Sequence, residues 1–217
     1  MEIARLYRDA QGSFVEFVST LGDDEWHVPV PCTPGWTVRD VLSHVAGLTD
    51  DVLAGRVEGA ATDPWTAAQV ERWKDADRDE LIGRWNEQID PVADAIEAFG
   101  EARPVFDCHT HEHDVRHALD RPGNRDSEIM QMIVTGTVGR WQGRHVIVDL
   151  VDGSTLDMPG SGGEPLRLGG VTQFDVARSR LGRRSRRQVE QWAWSEPPGD
   201  VLDHWFDFGP SEVDIVE

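Results

Sequence analysis

The stretch TVRDVLSHVAGLTDDVLAG, residues 37–55, reads as one complete helix. Thr37 is a good N-cap, and Val38, Val41, Leu42, Val45, Leu48, Val52 and Leu53 recur at three- and four-residue steps before Gly55 stops the turn. An apolar stripe of that kind needs other helices to cover it. The chain offers them on both sides. Upstream, Ile3, Leu6, Tyr7, Ala10, Phe14, Phe17, Val18 and Leu21 keep the same spacing, and the proline-rich DDEWHVPVPCTPGW (residues 23–36) joins the two segments as a loop. Downstream, a polar segment holds a short helix from Pro64. A longer helical pattern follows through Leu81, Trp85, Ile89, Val92, Ile96 and Phe99, which Pro91 should kink. A fourth long helix covers Val105 to Leu119 and ends at DRPGN (residues 120–124). Four long helices in about the first 120 residues point to a helix bundle.

The texture changes near Asn124. After a linking helix around SEIMQMIVTGTVGRW (127–141), HVIVDL (145–150) and PLRLGG (165–170) read as short strands, with DGST (152–155) and PGSGGEP (159–165) as turns. VTQFDVARSRLGRRSRRQVEQWAW (171–194) returns to helical spacing, and VLDHWFDFGP (201–210) forms a last short element. The predicted class is α+β, with a four-helix bundle over residues 1–124 and a smaller mixed α/β domain over residues 125–217.

At 39% hydrophobic and 28% charged residues, the composition suits a folded domain rather than a disordered chain. No run approaches the ~18 apolar residues of a membrane span, and MEIARLYRDAQGSF lacks the apolar core of a secretory signal, so a cytoplasmic protein is expected. Cys32 and Cys108 are too few for a disulfide framework and read as reduced thiols. The formal charge of -19 repels phosphate backbones and anionic lipid, which argues against nucleic acid and membrane partners and leaves a small molecule or another protein. Within this acidic chain, RSRLGRRSRRQ (178–188) concentrates six arginines.

Chemistry is concentrated in DCHTHEHDVRH, residues 107–117, which holds four of the chain's eight histidines among three acidic residues. On a helix, Asp107 and His111 share a face with Asp114 one turn on, whereas His109, His113 and His117 form a second ladder. Either ladder could supply two ligands to a divalent metal; the plainer reading is a solvated helix face. His44, on the otherwise apolar face of the second helix, is a candidate third ligand or else a hydrogen-bonded core histidine.

TPGWTVRDVLSHVAG (33–47), followed about sixty residues later by DCHTHEHDVRHAL (107–119) and then by GRRSRRQVEQWAW (182–194), resembles the mycothiol-dependent maleylpyruvate isomerase family over nearly the whole chain. The resemblance implies a DinB-like N-terminal four-helix bundle and a smaller SCP2-like C-terminal domain. It also implies a divalent metal, zinc with nickel or iron as alternatives, held by His44, Asp107 and His111. Asp107 stands where the family has the longer glutamate. Asp114 and Arg116 match residues that support the ligands, and Trp36 matches a loop tryptophan expected to pack. Arg183 or Arg184, near the family's cleft, would meet a substrate carboxylate bidentately, against the alternative of surface arginines paired with nearby acids.

Three protein ligands leave a metal an open position, the catalytic arrangement. The function implied is a mycothiol-using isomerase or thiol transferase acting on a small electrophile, carboxylated by expectation, in a monomer or homodimer. Two rivals differ in class: a non-enzymatic DinB-like metal-binding or stress-response module, and a DinB-type metallohydrolase that uses no thiol.

Overall fold

The structure, a computed structural model, describes residues 2–217, which divide into two compact units at Gly123/Asn124. The first holds helices α1 (Ile3–Val18), α2 (Val38–Ala54), α3 (Asp63–Arg72), α4 (Arg78–Phe99) and α5 (Arg103–Ala118), with a 3-10 turn at Asp23–His27. α1 and α2 each pack against both α4 and α5, which closes a four-helix bundle, and α3 lies on α2. The stripes named from sequence meet inside it: Tyr7, Ala10, Phe14, Val41, Leu42, Leu81, Trp85, Val92 and Val105 are all buried. Phe14 meets Trp85 edge to face at 5.7 Å, and the Trp85 indole N–H donates to the Tyr7 hydroxyl at 3.4 Å. α4 continues through Pro91.

α2 begins and ends as its sequence dictates. The Thr37 hydroxyl accepts the Asp40 N–H at 3.3 Å while the Asp40 carboxylate accepts the Thr37 N–H at 2.9 Å, a capping box worth about 1 kcal/mol. Gly55 closes the helix at φ 69°, the left-handed conformation that glycine adopts without strain. The incoming loop is held by a Pro29–Thr37 bridge and by hydrogen bonds from Val30 N–H to Trp36 C=O at 2.9 Å and from Trp36 N–H to Thr33 C=O at 3.0 Å. These fix Trp36 at the entrance to α2.

The second unit carries α6 (Glu128–Val138), β1 (Arg144–Leu150), β2 (Thr155–Met158), β3 (Ser161–Val171), α7 (Gln173–Arg180), α8 (Arg186–Glu190), β4 (Ala193–Trp194) and α9 (Val201–Trp205). Its sheet runs β2-β1-β3-β4, parallel between β1 and β3 and antiparallel at the other two pairings. Val146, Val148, Leu166 and Leu168 line its core with Trp205, whose ring meets Trp141, Trp192 and Trp194 edge to face at 6.1, 6.2 and 5.4 Å.

Two readings of this unit are corrected. Ser161–Pro165, expected as a turn from its glycines, forms the first half of β3, because Ser161 pairs with Arg144 beyond a register shift and turn composition is overridden by a neighbouring strand. The segment expected as one helical stretch over 171–194 is broken at Gly182, φ 80°, where an added Cβ would lie 2.7 Å from the Gly209 carbonyl oxygen. Among the described residues, no helix is long and apolar enough to cross a membrane.

Candidate metal centre

The bundle brings His44 of α2 to Asp107 and His111 of α5. His44 Nε2 lies 3.2 Å from Asp107 Oδ2, and His111 Nε2 lies 3.5 Å from Asp107 Oδ1, so one carboxylate sits between two imidazoles. One ligand atom from each residue falls within 4.8 Å of the others, the grouping that a single ion requires. The histidines are buried, whereas the Asp107 side chain is 32% exposed. That exposure belongs to the rest of the group, because Oδ2 itself is buried and faces His44 Nε2 at 3.2 Å. A buried carboxylate oxygen in such a place is stabilised by positive charge beside it, whether a protonated imidazole or a bound cation.

The far side of each ring decides where its proton resides. His111 Nδ1 is 3.0 Å from Asp114 Oδ2, and Asp114 is fully buried. A carboxylate only accepts, so Nδ1 carries a hydrogen and Nε2 is the nitrogen turned toward Asp107. His44 Nδ1 is 2.7 Å from Gln69 Oε1 and is held in the same sense. Both Nε2 atoms therefore converge on the Asp107 carboxylate, as in a metal site whose ligand rings are oriented by partners behind them.

The local field favours positive charge. Burial by itself would raise the Asp107 carboxyl, but His44 and His111 more than offset it and hold the group far below the usual carboxylate range. Burial likewise would lower His111, yet Asp107 and then Asp114 overcome it, and the imidazole is pushed up to about 9. The same negative potential that holds a proton here attracts a divalent cation.

Trp36 walls the site, its ring centroid 5.2 Å from that of His44 and 6.2 Å from that of His111. Sequence reading took it as a packing residue; the loop hydrogen bonds make it the side wall of the His44–Asp107–His111 cluster. Gln69 escaped sequence reading altogether, since one glutamine in a short polar helix carries no pattern. The available signal was Gly47, three residues past His44 in an otherwise good helix. A Cβ there would lie 2.6 Å from Gln69 Cβ and 3.2 Å from Gln69 Cα, so the glycine lets α3 close on α2. Gly47→Ala is accordingly expected to push α3 outward and weaken zinc binding about tenfold while the bundle stays helical. Chelator competition and circular dichroism check this; unchanged affinity would show that α3 shifts without disturbing His44.

The other candidates fall elsewhere. Asp114 reaches His111, but the Arg116 guanidinium turns to Glu112 at 2.8 Å and lies over the Phe17 ring at 4.1 Å. His109 and His113 face each other, Nε2 to Nε2 at 3.3 Å, beside Glu112, which accepts the Ser13 hydroxyl of α1 at 2.9 Å. That ladder lies on the α1 side of α5. In the second unit, Arg184 is buried and its guanidinium binds Glu217 at 2.5 Å and Asp175 at 3.4 Å, while Arg183, partly exposed, donates to the Leu181 carbonyl at 2.7 Å.

Residues 7–121 match the family model described as the mycothiol maleylpyruvate isomerase N-terminal domain. Among solved structures, a mycothiol-dependent maleylpyruvate isomerase is similar at 13% identity and TM-score 0.56, covering 90% of this chain and 92% of that one. A point mutant of that enzyme matches at 13% identity with the same coverage and TM-score 0.55. At this identity the likeness establishes a shared fold. No curated protein matches the chain in sequence.

Proposed function

Because the chain belongs to the family of the mycothiol maleylpyruvate isomerase N-terminal domain, we propose that it is a metal-dependent enzyme that uses mycothiol as its thiol and acts on a small, carboxylated electrophile, as an isomerase or a thiol transferase. One observation carries the reading. His44, Asp107 and His111 bring two imidazole Nε2 atoms and a buried carboxylate oxygen within 4.8 Å of one another. Two neutral imidazoles and a carboxylate suit zinc, with nickel or iron as alternatives, and three protein ligands are the number that catalytic sites use. A divalent metal held there would lower the pKa of the mycothiol thiol so that it serves as a thiolate near neutral pH, a nucleophile able to add to a conjugated double bond or to displace a leaving group.

The chain's own residues prepare that chemistry. Asp114 and Gln69 keep the Nδ1 protons away from the ligand side, Asp107 contributes the single negative charge within the ligand set, and Trp36 excludes water from one flank. The test is turnover of generic electrophiles by the zinc-loaded full chain, with and without mycothiol. Turnover that requires both is the expected result. Hydrolysis without thiol would assign a metallohydrolase instead, and stoichiometric metal with no turnover of either kind would assign a binding module.

A further inference from the structure

The hydrogen bond behind His44 is the near end of a longer relay. Gln69 Oε1 faces His44 Nδ1 at 2.7 Å, Gln69 Nε2 donates to Asp51 Oδ2 at 2.8 Å, and Asp51 Oδ1 accepts from Arg56 Nε and Arg72 Nη2, each at 2.8 Å. Gln69 and Asp51 are 0% and 2% exposed, so water cannot substitute for either. A glutamine alone does not fix a tautomer, since its amide can turn to present either oxygen or nitrogen. Here it cannot turn. Asp51 is acceptor-only and demands the Gln69 nitrogen, which sends the Gln69 oxygen to His44. His44 Nδ1 must then donate, and its lone pair is left on Nε2, facing Asp107.

The geometry points to Asp51 as a positioning residue for the metal site: held by Arg56 and Arg72, it sets the direction of the Gln69 amide and thereby the protonated nitrogen of His44. It touches neither a ligand nor a substrate. The inference rests on the proposed reading of His44 as a ligand, and it explains why α2 buries an aspartate two turns beyond that histidine.

The relay predicts a sign reversal that simple packing does not. In Asp51→Asn, Arg56 and Arg72 hold the oxygen of the new side-chain amide, so its nitrogen faces Gln69. Gln69 must then present its oxygen to that nitrogen and its own nitrogen to His44 Nδ1, which becomes an acceptor and moves the ring proton to Nε2, where a metal would bind. Zinc affinity, measured on the full chain by chelator competition, should fall about 10- to 100-fold. Adding Gln69→Glu to Asp51→Asn should restore it to within a few-fold of wild type, because a carboxylate at position 69 accepts both from the amide at position 51 and from His44. Gln69→Met, which keeps the volume but accepts nothing, should lose about tenfold.

Ring-nitrogen NMR of the zinc-saturated wild type should show the His44 proton on Nδ1. Unchanged affinity in Asp51→Asn, or a double variant no tighter than Asp51→Asn, would overturn the relay and leave Asp51 as a structural anchor for Arg56 and Arg72. Retention of full zinc by His44→Ala would instead remove His44 from the ligand set, a failure of the underlying reading that the relay variants do not mimic.

Discussion

Replacing His44 by alanine should leave the purified protein without stoichiometric metal, whereas His109→Ala and His113→Ala should keep it. The asymmetry follows from the two faces of α5. Asp107 and His111 meet His44, while His109 and His113 meet each other at 3.3 Å on the side where Glu112 binds Ser13 of α1. Removing one of three ligands leaves a two-point site, and the loss should exceed the roughly 10- to 100-fold seen when a partner behind a ligand is removed. Elemental analysis after dialysis reads the result directly. Equal metal in wild type and His44→Ala would eliminate His44 as a ligand, and metal lost only in His109→Ala and His113→Ala would transfer the site to the other ladder. The two control variants are expected to cost stability because both histidines are buried, so thermal denaturation should accompany the metal measurement.

The second large effect is in the other unit and concerns stability. The Arg178 guanidinium grips Glu217 through Nε at 2.9 and 3.0 Å and through Nη2 at 2.6 Å, and Arg184 adds a bond at 2.5 Å. The Arg178 and Glu217 side chains are 1% and 2% exposed. Glu217→Gln keeps the shape but removes the buried carboxylate that Arg178 and Arg184 share, which should destabilise this unit by about 3–5 kcal/mol in chemical denaturation. A change below about 1 kcal/mol, the range of an exposed pair, would show that water reaches the cluster.

The pH dependence has a definite sign. Burial alone would raise the Glu217 carboxyl, but Arg178 and then Arg184 hold it below the usual range. A carboxyl depressed by folding stabilises the native state above its unfolded value of about 4.3, and that contribution is lost as pH falls through the folded one. Wild type should therefore lose stability on acidification below about pH 4 more steeply than Glu217→Gln.

These arginines show where sequence reading ends. Within the run RSRLGRRSRRQ, where substrate contact at Arg183 or Arg184 was expected, the tertiary structure pairs Arg178 and Arg184 with Glu217, and Arg180 with the Trp205 carbonyl at 2.8 Å and with Asp207. A guanidinium finds whichever carboxylate the fold delivers, and the partner of Arg178 lies 39 residues away. The first half of strand β3 was read as a turn for a related reason: a glycine-rich stretch becomes strand when β1 offers its hydrogen bonds, and composition does not record a neighbour.

Local order did determine much of the rest. The period of apolar residues set α1, α2 and α4, because amphipathic helices need only their own sequence to define a buried stripe. Thr37, Asp40 and Gly55 set the limits of α2 through bonds made within a turn or two. The four-residue step from Asp107 to His111 put two candidate ligands on one face by helix geometry alone. The tertiary structure decided which ladder meets His44, that Trp36 walls the site, and that Gln69 and Asp51 stand behind it. Those choices depend on how α2, α3 and α5 turn toward one another. A helical sequence specifies a face, and only packing specifies what that face meets.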